Sequence, residues 1–383
     1  DSCMIPSPTP INFRDDTILE TDPKPSLIMF SSKKTEIASE RRKAHPTLFK
    51  VLGTIWNIVK FIISIILFLP LALLWVLKKT CQFFILPSSI ISQSMSKTAV
   101  AIRRMTFLSH IKQLLSLKEI SAADRVVIQY DDLVVDSLAI KIPHALPHRW
   151  ILYSQGNSGL MENLFDRGDS SLHQLAKATG SNLLVFNYPG IMSSKGEAKR
   201  ENLVKSYQAC VRYLRDEETG PKANQIIAFG YSLGTSVQAA ALDREVTDGS
   251  DGTSWIVVKD RGPRSLADVA NQICKPIASA IIKLVGWNID SVKPSERLRC
   301  PEIFIYNSNH DQELISDGLF ERENCVATPF LELPEVKTSG TKIPIPERDL
   351  LHLNPLSPNV VDRLAAVISN YLDSENRKSQ QPD

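Results

Sequence analysis

Three separated stretches of this 383-residue sequence contain the residue types of a serine nucleophile, a base and an acid. The first is Gly230-Tyr231-Ser232-Leu233-Gly234, a G-x-S-x-G motif between an apolar run and a stretch of helical period. In that context a sharp strand-to-helix turn presents the serine hydroxyl, and flanking glycines leave room for the turn. The motif predicts a nucleophile for acyl transfer. The alternative is an ordinary glycine-rich turn whose serine caps the helix.

A serine hydroxyl needs a base to take its proton, and the base needs an orienting acid. In the topology typical of G-x-S-x-G, the acid and then the histidine follow the serine along the chain. Only His310 and His352 of the seven histidines lie after Ser232. Asp311 lies just beyond the apolar run Glu302–Tyr306, and His352 precedes the last stretch of helical period. We therefore predict a triad of Ser232, Asp311 and His352.

Other assignments of the acid and the base remain open at this point. Asp311 could cap a turn, with His310 as the functional neighbour. Glu313 and Asp317 are alternative acids, further from the end of the apolar run. His352 could be a histidine of a surface loop.

The developing oxyanion of an acyl transfer also needs hydrogen-bond donors. Residues 155–159 form a small, polar loop after the apolar run Trp150–Ser154. In this topology the donors are backbone N–H groups of that loop and of the residue after the serine. We predict Leu233 and Asn157 as the donors, with Gly156 as the alternative to Asn157.

The elements that must position these residues alternate between strand and helix from about residue 121. Apolar runs of strand length occupy Val126–Tyr130, Leu138–Ile142, Trp150–Ser154, Leu183–Asn187, Ile226–Phe229, Trp255–Val258, Glu302–Tyr306 and, more weakly, Phe330–Leu333. Helical periodicity occupies His173–Lys177, Asn202–Leu214, Thr235–Leu242, Leu266–Val285 and Val360–Leu372. Tandem strands followed by alternation predict an α/β domain, a mostly parallel sheet with helices on both faces.

Residues from about 126 to 372 resemble an α/β-hydrolase, similar in pattern to membrane-associated serine hydrolases with H-G-N-x-G and D-Y-P-G sequences. The matching stretches here are residues 155–159 (QGNSG) and 187–190 (NYPG), so Gln155 replaces the histidine and Asn187 the aspartate. The whole chain is similar to the CHLPS family of chlamydial proteins, a domain of unknown function. That resemblance implies an α/β-hydrolase fold and an obligate intracellular bacterium, with no assigned substrate.

An apolar run precedes this domain. Ile55–Leu77 contains one charge, Lys60, and its 23 residues would span about 35 Å as a helix, enough to cross a hydrocarbon core of about 30 Å. Pro70 would kink a single span or mark the apex of a hairpin returning through Phe83–Leu86. The alternative to a membrane segment is a buried core helix. After this run, apolar residues recur at helical spacing from Met105 onward. They predict a helix that lies either on the membrane surface or against the domain.

We divide the chain accordingly into a flexible arm (1–50), a membrane segment (51–87), an amphipathic linker helix (88–120), the α/β-hydrolase domain (121–374) and a polar tail (375–383).

Residues 1–120 hold 16 Lys and Arg against 8 Asp and Glu, whereas the remainder holds 28 against 34. The net charge of +2 gives no case for nucleic acid. The cysteines lack CxxC spacing, so neither a metal nor a cofactor is predicted, and Cys210 and Cys274 are predicted to be buried thiols.

Together these features predict a membrane-anchored serine hydrolase. Its partners would be the lipid bilayer and an acyl ester or thioester, either a small molecule or a lipid, in a bacterial membrane or facing a host if exported. The rival prediction is a catalytically idle interaction protein of the same fold, displayed on a membrane. A peptidase is a third class, although the sequence before the domain contains nothing like a propeller or a large cap to gate peptides.

Overall fold

The computed structural model describes residues 26–30, 33–66, 68–165, 170–332 and 341–380. Within them, nine strands form one sheet. They are β1 (Ser26–Phe30), β2 (Ala122–Tyr130), β3 (Leu133–Lys141), β4 (Arg149–Ser154), β5 (Asn182–Phe186), β6 (Gln225–Tyr231), β7 (Ser254–Asp260), β8 (Glu302–Ser308) and β9 (Lys342–Arg348). Their order across the sheet is β1-β2-β3-β5-β4-β6-β7-β8-β9. Only β3 runs antiparallel to its neighbours, so the predicted mostly parallel sheet is confirmed.

The central strands are apolar along their length because helices cover both faces of the sheet. In β4, for example, Trp150, Ile151 and Leu152 are fully buried. The register aligns Ser154 at the end of β4 with Gly230 near the end of β6. The loops that leave these two parallel strands therefore meet at the same edge of the sheet.

Helices of the domain alternate with the strands. They are α6 (Ser171–Thr179), α7 (Arg200–Arg215), α8 (Leu233–Leu242), α9 (Leu266–Leu284), α10 (Val292–Arg297), α11 (Thr328–Glu332) and α12 (Pro358–Gln380). Helices α7, α8 and α9 contribute to the core on one face of the sheet, and α6 and α12 to the core on the other. The predicted helices on both faces are thus confirmed.

Five helices precede β2 in the described part of the chain. They are α1 (Lys33–Ala44), α2 (Pro46–Ile66), α3 (Phe68–Ile85), α4 (Pro87–Ser94) and α5 (Lys97–Ser116). Helix α2 has an 18-residue window, Pro46–Ile63, that contains no buried residue, has a mean hydropathy of 1.3 and is long enough to cross a membrane. Helices α3 and α4 meet at a bend of 98° and together pass the same test as one broken span. Pro70 lies in the first turn of α3, where proline is tolerated, so it does not kink a helix interior.

The apolar front segment, which comprises α2, α3 and α4, is attached to the domain through one face of α3. Cys81, Ile85 and Leu86 are buried in the core below α7 to α9. Other side chains of α3 are exposed, with Trp75 and Phe84 at 61% and 69%. Helix α5 packs on the other core cluster through its buried Phe107 and Ile111.

Several predicted elements need correction. The expected arm, residues 1–50, contains β1, α1 and the start of α2, while residues 1–25 lie outside the described part. The strand predicted at Phe330–Leu333 is wrong, because α11 occupies Thr328–Glu332. The last strand is β9, which contains Pro344 and Pro346. Prolines lower the expectation of a strand, but β9 is an edge strand, where a missing N–H donor is tolerated.

The linker and the tail differ from expectation as well. Two helices, α4 and α5, occupy most of the predicted single linker helix at residues 88–120. Helix α12 continues through residue 380 into the predicted polar tail, of which residues 381–383 lie outside the described part. Cys210 is buried as predicted, whereas Cys274 is exposed, on a stretch of α9 where Ile273 and Ile277 are exposed as well.

Candidate active site

Ser232 occupies a strained turn between β6 and α8. Its φ of 52° and ψ of −123° lie in a region that residues with a side chain seldom adopt. In this turn the backbone at Gly230 and Gly234 lies close to neighbouring backbone, which only a residue without a side chain allows. A Cβ on Gly234 would lie 1.9 Å from the carbonyl oxygen of Ser154, and one on Gly230 would lie 2.8 Å from the Cα of Thr235. The N–H of Ser232 donates to the Asp260 carbonyl at 3.0 Å, which fixes the turn against β7.

His352 meets this serine. It lies in the loop between β9 and α12, and its Nε2 is 2.9 Å from the Ser232 Oγ. Both side chains are buried, at 5% exposure for Ser232 and 4% for His352. This is the geometry in which the hydroxyl donates to an unprotonated imidazole nitrogen. The structure therefore brings together two residues that are 120 positions apart in the chain.

The carboxylate beside His352 belongs to Asp317. Its Oδ2 is 2.7 Å from the His352 Nδ1, so the imidazole lies between a hydroxyl and a carboxylate. The Asp317 Oδ1 accepts hydrogen bonds from the backbone N–H groups of Leu319 and Phe320. Burial alone would raise the pKa of Asp317, but the His352 hydrogen bond and charge and these two N–H groups bring that pKa below its ordinary value.

The prediction that Asp311 occupies this position is wrong. Asp311 is exposed, and its backbone N–H donates to the Asn309 side chain in a local turn. After β8 the chain folds back on the strand, with a bridge between Ser308 and Leu314. This reversal carries the acid six positions further along, to Asp317, one of the alternatives left open by the sequence.

Asn307 joins the acid loop to the histidine loop, a role that the sequence analysis missed. Its Nδ2 donates to the Ser316 carbonyl at 2.7 Å, and its Oδ1 accepts the Leu350 N–H at 2.9 Å. Asn307 is buried at the end of β8. A buried polar residue within an apolar strand was the available signal, because such a side chain must find partners.

Two further side chains hold the loop that carries His352. Arg261 donates to the carbonyls of Leu351 and Asn354, at 2.6 and 2.7 Å, and its guanidinium forms two hydrogen bonds with Asp260. Tyr231 donates from its hydroxyl to the His352 carbonyl at 2.5 Å, and the two rings stack. The backbone on both sides of the imidazole is therefore fixed.

The residues predicted as oxyanion donors lie beside the serine. A Cβ on Gly156 would be 3.4 Å from the Ser232 Cβ. Asn157 and Leu233 line the same cavity as Ser232. Leu233 is the first residue of α8, where backbone N–H groups have no acceptor within the helix. The Asn157 carbonyl accepts a hydrogen bond from the Ser88 hydroxyl of α4 at 2.9 Å, so the front segment contacts this loop.

The two positions that depart from the resembled hydrolases contact each other. The Gln155 amide donates to the Asn187 Oδ1 at 3.3 Å, and Asn187 also accepts the Met161 N–H. The Asn187 Nδ2 donates to both oxygens of Glu162. Burial raises the pKa of Glu162, although the Asn187 hydrogen bond opposes it. An amide at position 187 satisfies this carboxyl, whereas a second carboxylate would repel it.

An apolar cavity of about 300 Å³ opens at Ser232. One wall is the C-terminal half of α3, and the opposite wall is α9. Helix α9 is interrupted at Cys274 and Lys275, just before Pro276, and residues of both halves line the cavity. This volume is at the lower end of the range usual for small-molecule sites.

The fold and the order of the site residues define a class of protein. A mostly parallel sheet has the serine on the turn after β6, the acid after β8 and the histidine after the last strand, which is the arrangement of the α/β-hydrolase fold. The chain also matches the family described as Chlamydia CHLPS protein (DUF818) over residues 16–373. It belongs to that family.

Solved structures of similar fold include hydrolases from archaea and bacteria. An esterase of Pyrococcus furiosus is 15% identical, with 68% of this chain and 95% of that chain covered and a TM-score of 0.49. An alpha-beta hydrolase from Vibrio vulnificus is 15% identical, with 73% and 94% covered and a TM-score of 0.49. An esterase of Pyrobaculum calidifontis is 14% identical, with 74% and 97% covered and a TM-score of 0.47. No curated protein matches the chain.

Proposed function

We propose that this protein is a membrane-attached serine hydrolase that cleaves a carboxylic ester or thioester through an acyl-enzyme. The observation that carries the proposal is the continuous relay from the Ser232 hydroxyl through the His352 imidazole to the Asp317 carboxylate, at 2.9 and 2.7 Å. A hydroxyl and a carboxylate on opposite nitrogens of one buried imidazole are the requirement for activating a serine.

The first half of the reaction forms the acyl-enzyme. The Ser232 Oγ bonds to the substrate carbonyl carbon while His352 Nε2 takes the hydroxyl proton. The carbonyl electrons move to the oxygen, and the N–H groups of Leu233 and of Asn157 or Gly156 stabilise that charge. When the intermediate collapses, the bond from carbon to the leaving oxygen or sulfur breaks, and His352 gives its proton to the leaving alcohol or thiol.

The second half returns the enzyme to its starting state. His352 takes a proton from water as the water oxygen bonds to the acyl carbon. The Ser232 Oγ then leaves and recovers the proton from His352, which releases the carboxylic acid. Throughout both halves Asp317 holds the imidazole orientation and stabilises its positive charge, without itself taking the proton.

The membrane part of the proposal is supported by α2. Its 21 residues rise about 31 Å, which matches the hydrocarbon thickness of a bilayer. The side chains of this helix described by the structure are exposed or half-exposed, including Trp56, Phe61 and Ile62. A helix that exposes so many large apolar side chains is stabilised in lipid, where their contact with water is removed.

Labelling with a fluorophosphonate, followed by fractionation, tests both parts. We expect the full chain to be labelled, Ser232→Ala to lose the label, and Ser236→Ala, a buried serine of the same helix region, to keep it. Equal labelling of the wild type and Ser232→Ala, or none of either, would contradict the hydrolase and favour the idle interaction protein. The labelled chain should stay in membranes washed with carbonate. Its release into the supernatant would contradict membrane attachment.

A further inference from the structure

The cavity beside Ser232 is built by two parts of the chain that are far apart in sequence. Leu77, Thr80 and Phe84 of the apolar front segment form one wall. Val269 and Ala278, from the two halves of α9, belong to the other. The front segment therefore contributes to the site itself, in addition to any role as an anchor.

The lining chemistry indicates what the cavity accepts. Ser232 and Asn157 are the polar residues at its catalytic end, Thr80 adds one hydroxyl from α3, and no charged residue lines it in the described part of the chain. A cavity with apolar walls gains free energy by removing hydrocarbon from water and offers few partners to a polar group. Ala270 and Ala278 leave the cavity open, because their small side chains fill little of the space between the helices.

The cavity also reaches the protein surface at apolar residues. Phe84 of α3 and Ile273 of α9 line it and are 69% and 61% exposed. Near them on the same helices, Phe83 and Ile277 are 52% and 74% exposed. A hydrocarbon chain can therefore leave an apolar surface and lie along the cavity without crossing a polar rim.

We propose that this cavity binds the acyl chain of the substrate, and that the substrate is an ester or thioester of a long, unbranched fatty acid. The acyl chain lies between α3 and α9, with its carbonyl carbon at Ser232. This assignment rests on the proposed hydrolase function, because it takes Ser232 as the acylated residue. It adds that the apolar front segment selects the acyl group.

A chain-length series with one leaving group tests the proposal. In the full chain we expect kcat/KM for p-nitrophenyl dodecanoate to exceed that for the acetate. The substitution Ala278→Trp fills the cavity and should lower the ratio of these two values by roughly tenfold or more, since each methylene buried in an apolar pocket contributes severalfold. The control is Ala280→Trp, an exposed alanine of the same helix outside the lining, which should keep the wild-type ratio.

A second pair of variants tests the wall from the front segment. Thr80→Trp should lower the dodecanoate-to-acetate ratio, and Val76→Trp, an exposed position of α3 outside the lining, should not. A wild type without chain-length preference would overturn the inference, as would equal ratios in Ala278→Trp and Ala280→Trp. If Thr80→Trp and Val76→Trp have equal ratios while the two α9 variants differ, the inference that the front segment contributes to the cavity is wrong.

Binding without catalysis separates this inference from the proposed function. Full-length Ser232→Ala should bind a fluorescent long-chain fatty acid that dodecanoic acid displaces, and Ser232→Ala with Ala278→Trp should bind it at least about tenfold more weakly. If Ser232→Ala binds the fatty acid saturably but fluorophosphonate does not label the wild type, the proposed hydrolase function is contradicted and the acyl cavity is not. Labelling at Ser232 without saturable binding would contradict the acyl cavity alone.

Discussion

The loops after β6 and β8 position their site residues in different ways. The turn after β6 is local: Ser232 directly follows the strand, and contacts of Gly230 and Gly234 with nearby backbone determine its shape. The loop after β8 runs nine residues from the end of the strand to Asp317, and a return bridge to the strand fixes it. The proposed nucleophile is therefore readable from a five-residue motif, while the proposed acid depends on how a longer loop folds back.

Substituting each of the two candidate acids by asparagine would most directly test this comparison. Asp317→Asn removes the charge that faces the His352 Nδ1, and we expect kcat for a p-nitrophenyl ester to fall about 10³- to 10⁴-fold. Asp311→Asn, in the same loop but exposed, should stay within about twofold of the wild type. A large loss in Asp311→Asn with little change in Asp317→Asn would reverse the assignment.

Glycine replacements in the two loops should differ in their effect on stability. In Gly234→Ala the new Cβ overlaps the Ser154 backbone, so the free energy of unfolding should fall by about 3 kcal/mol or more. Gly318 has a φ of 86° but only Leu351 nearby, at 3.8 Å, so Gly318→Ala should cost about 1–2 kcal/mol of backbone strain. Urea unfolding measures both, and equal losses would show that the turn after β6 is not the more tightly constrained of the two.

The smallest expected effect is a dependence of stability on pH that belongs to the acid loop. Because the native pKa of Asp317 is lowered, its ionised form stabilises the fold above the ordinary aspartate pKa of about 3.9, and this contribution is lost as the pH falls through the lower native value. The difference in free energy of unfolding between wild type and Asp317→Asn should therefore shrink between about pH 6 and about pH 3. An Asp317→Asn difference that grows in acid would contradict the assignment.

The sequence was informative where local chemistry decides the structure. The G-x-S-x-G motif and the apolar runs of strand length predicted Ser232 between β6 and α8, and the order of residues along the chain selected His352, which meets it. Periodicity likewise predicted α7, whose buried residues recur at helical spacing, and α8, all of whose residues are buried.

Features that depend on tertiary context were not readable in the same way. The choice between Asp311 and Asp317 depends on the reversal after β8, which leaves no mark in residue spacing. Strand β9 was missed because its prolines are acceptable only at a sheet edge, and the sequence does not say which strand is last. The cavity was also missed, since its walls come from segments almost 200 residues apart and periodicity within each segment does not reveal their contact.

The hydrogen bond from Ser88 to the Asn157 carbonyl has a practical consequence for preparing the protein. Shortening the chain at the domain boundary suggested by hydropathy, near residue 120, would discard α4 together with α3. The loop at Gly156 and Asn157 would lose its support, and Ile85 and Leu86, now buried, would leave part of the core uncovered. Measurements on such a fragment would then report on a damaged site. A preparation that retains residues 68–94 keeps this hydrogen bond and this part of the core, and substrate preference should be measured on it.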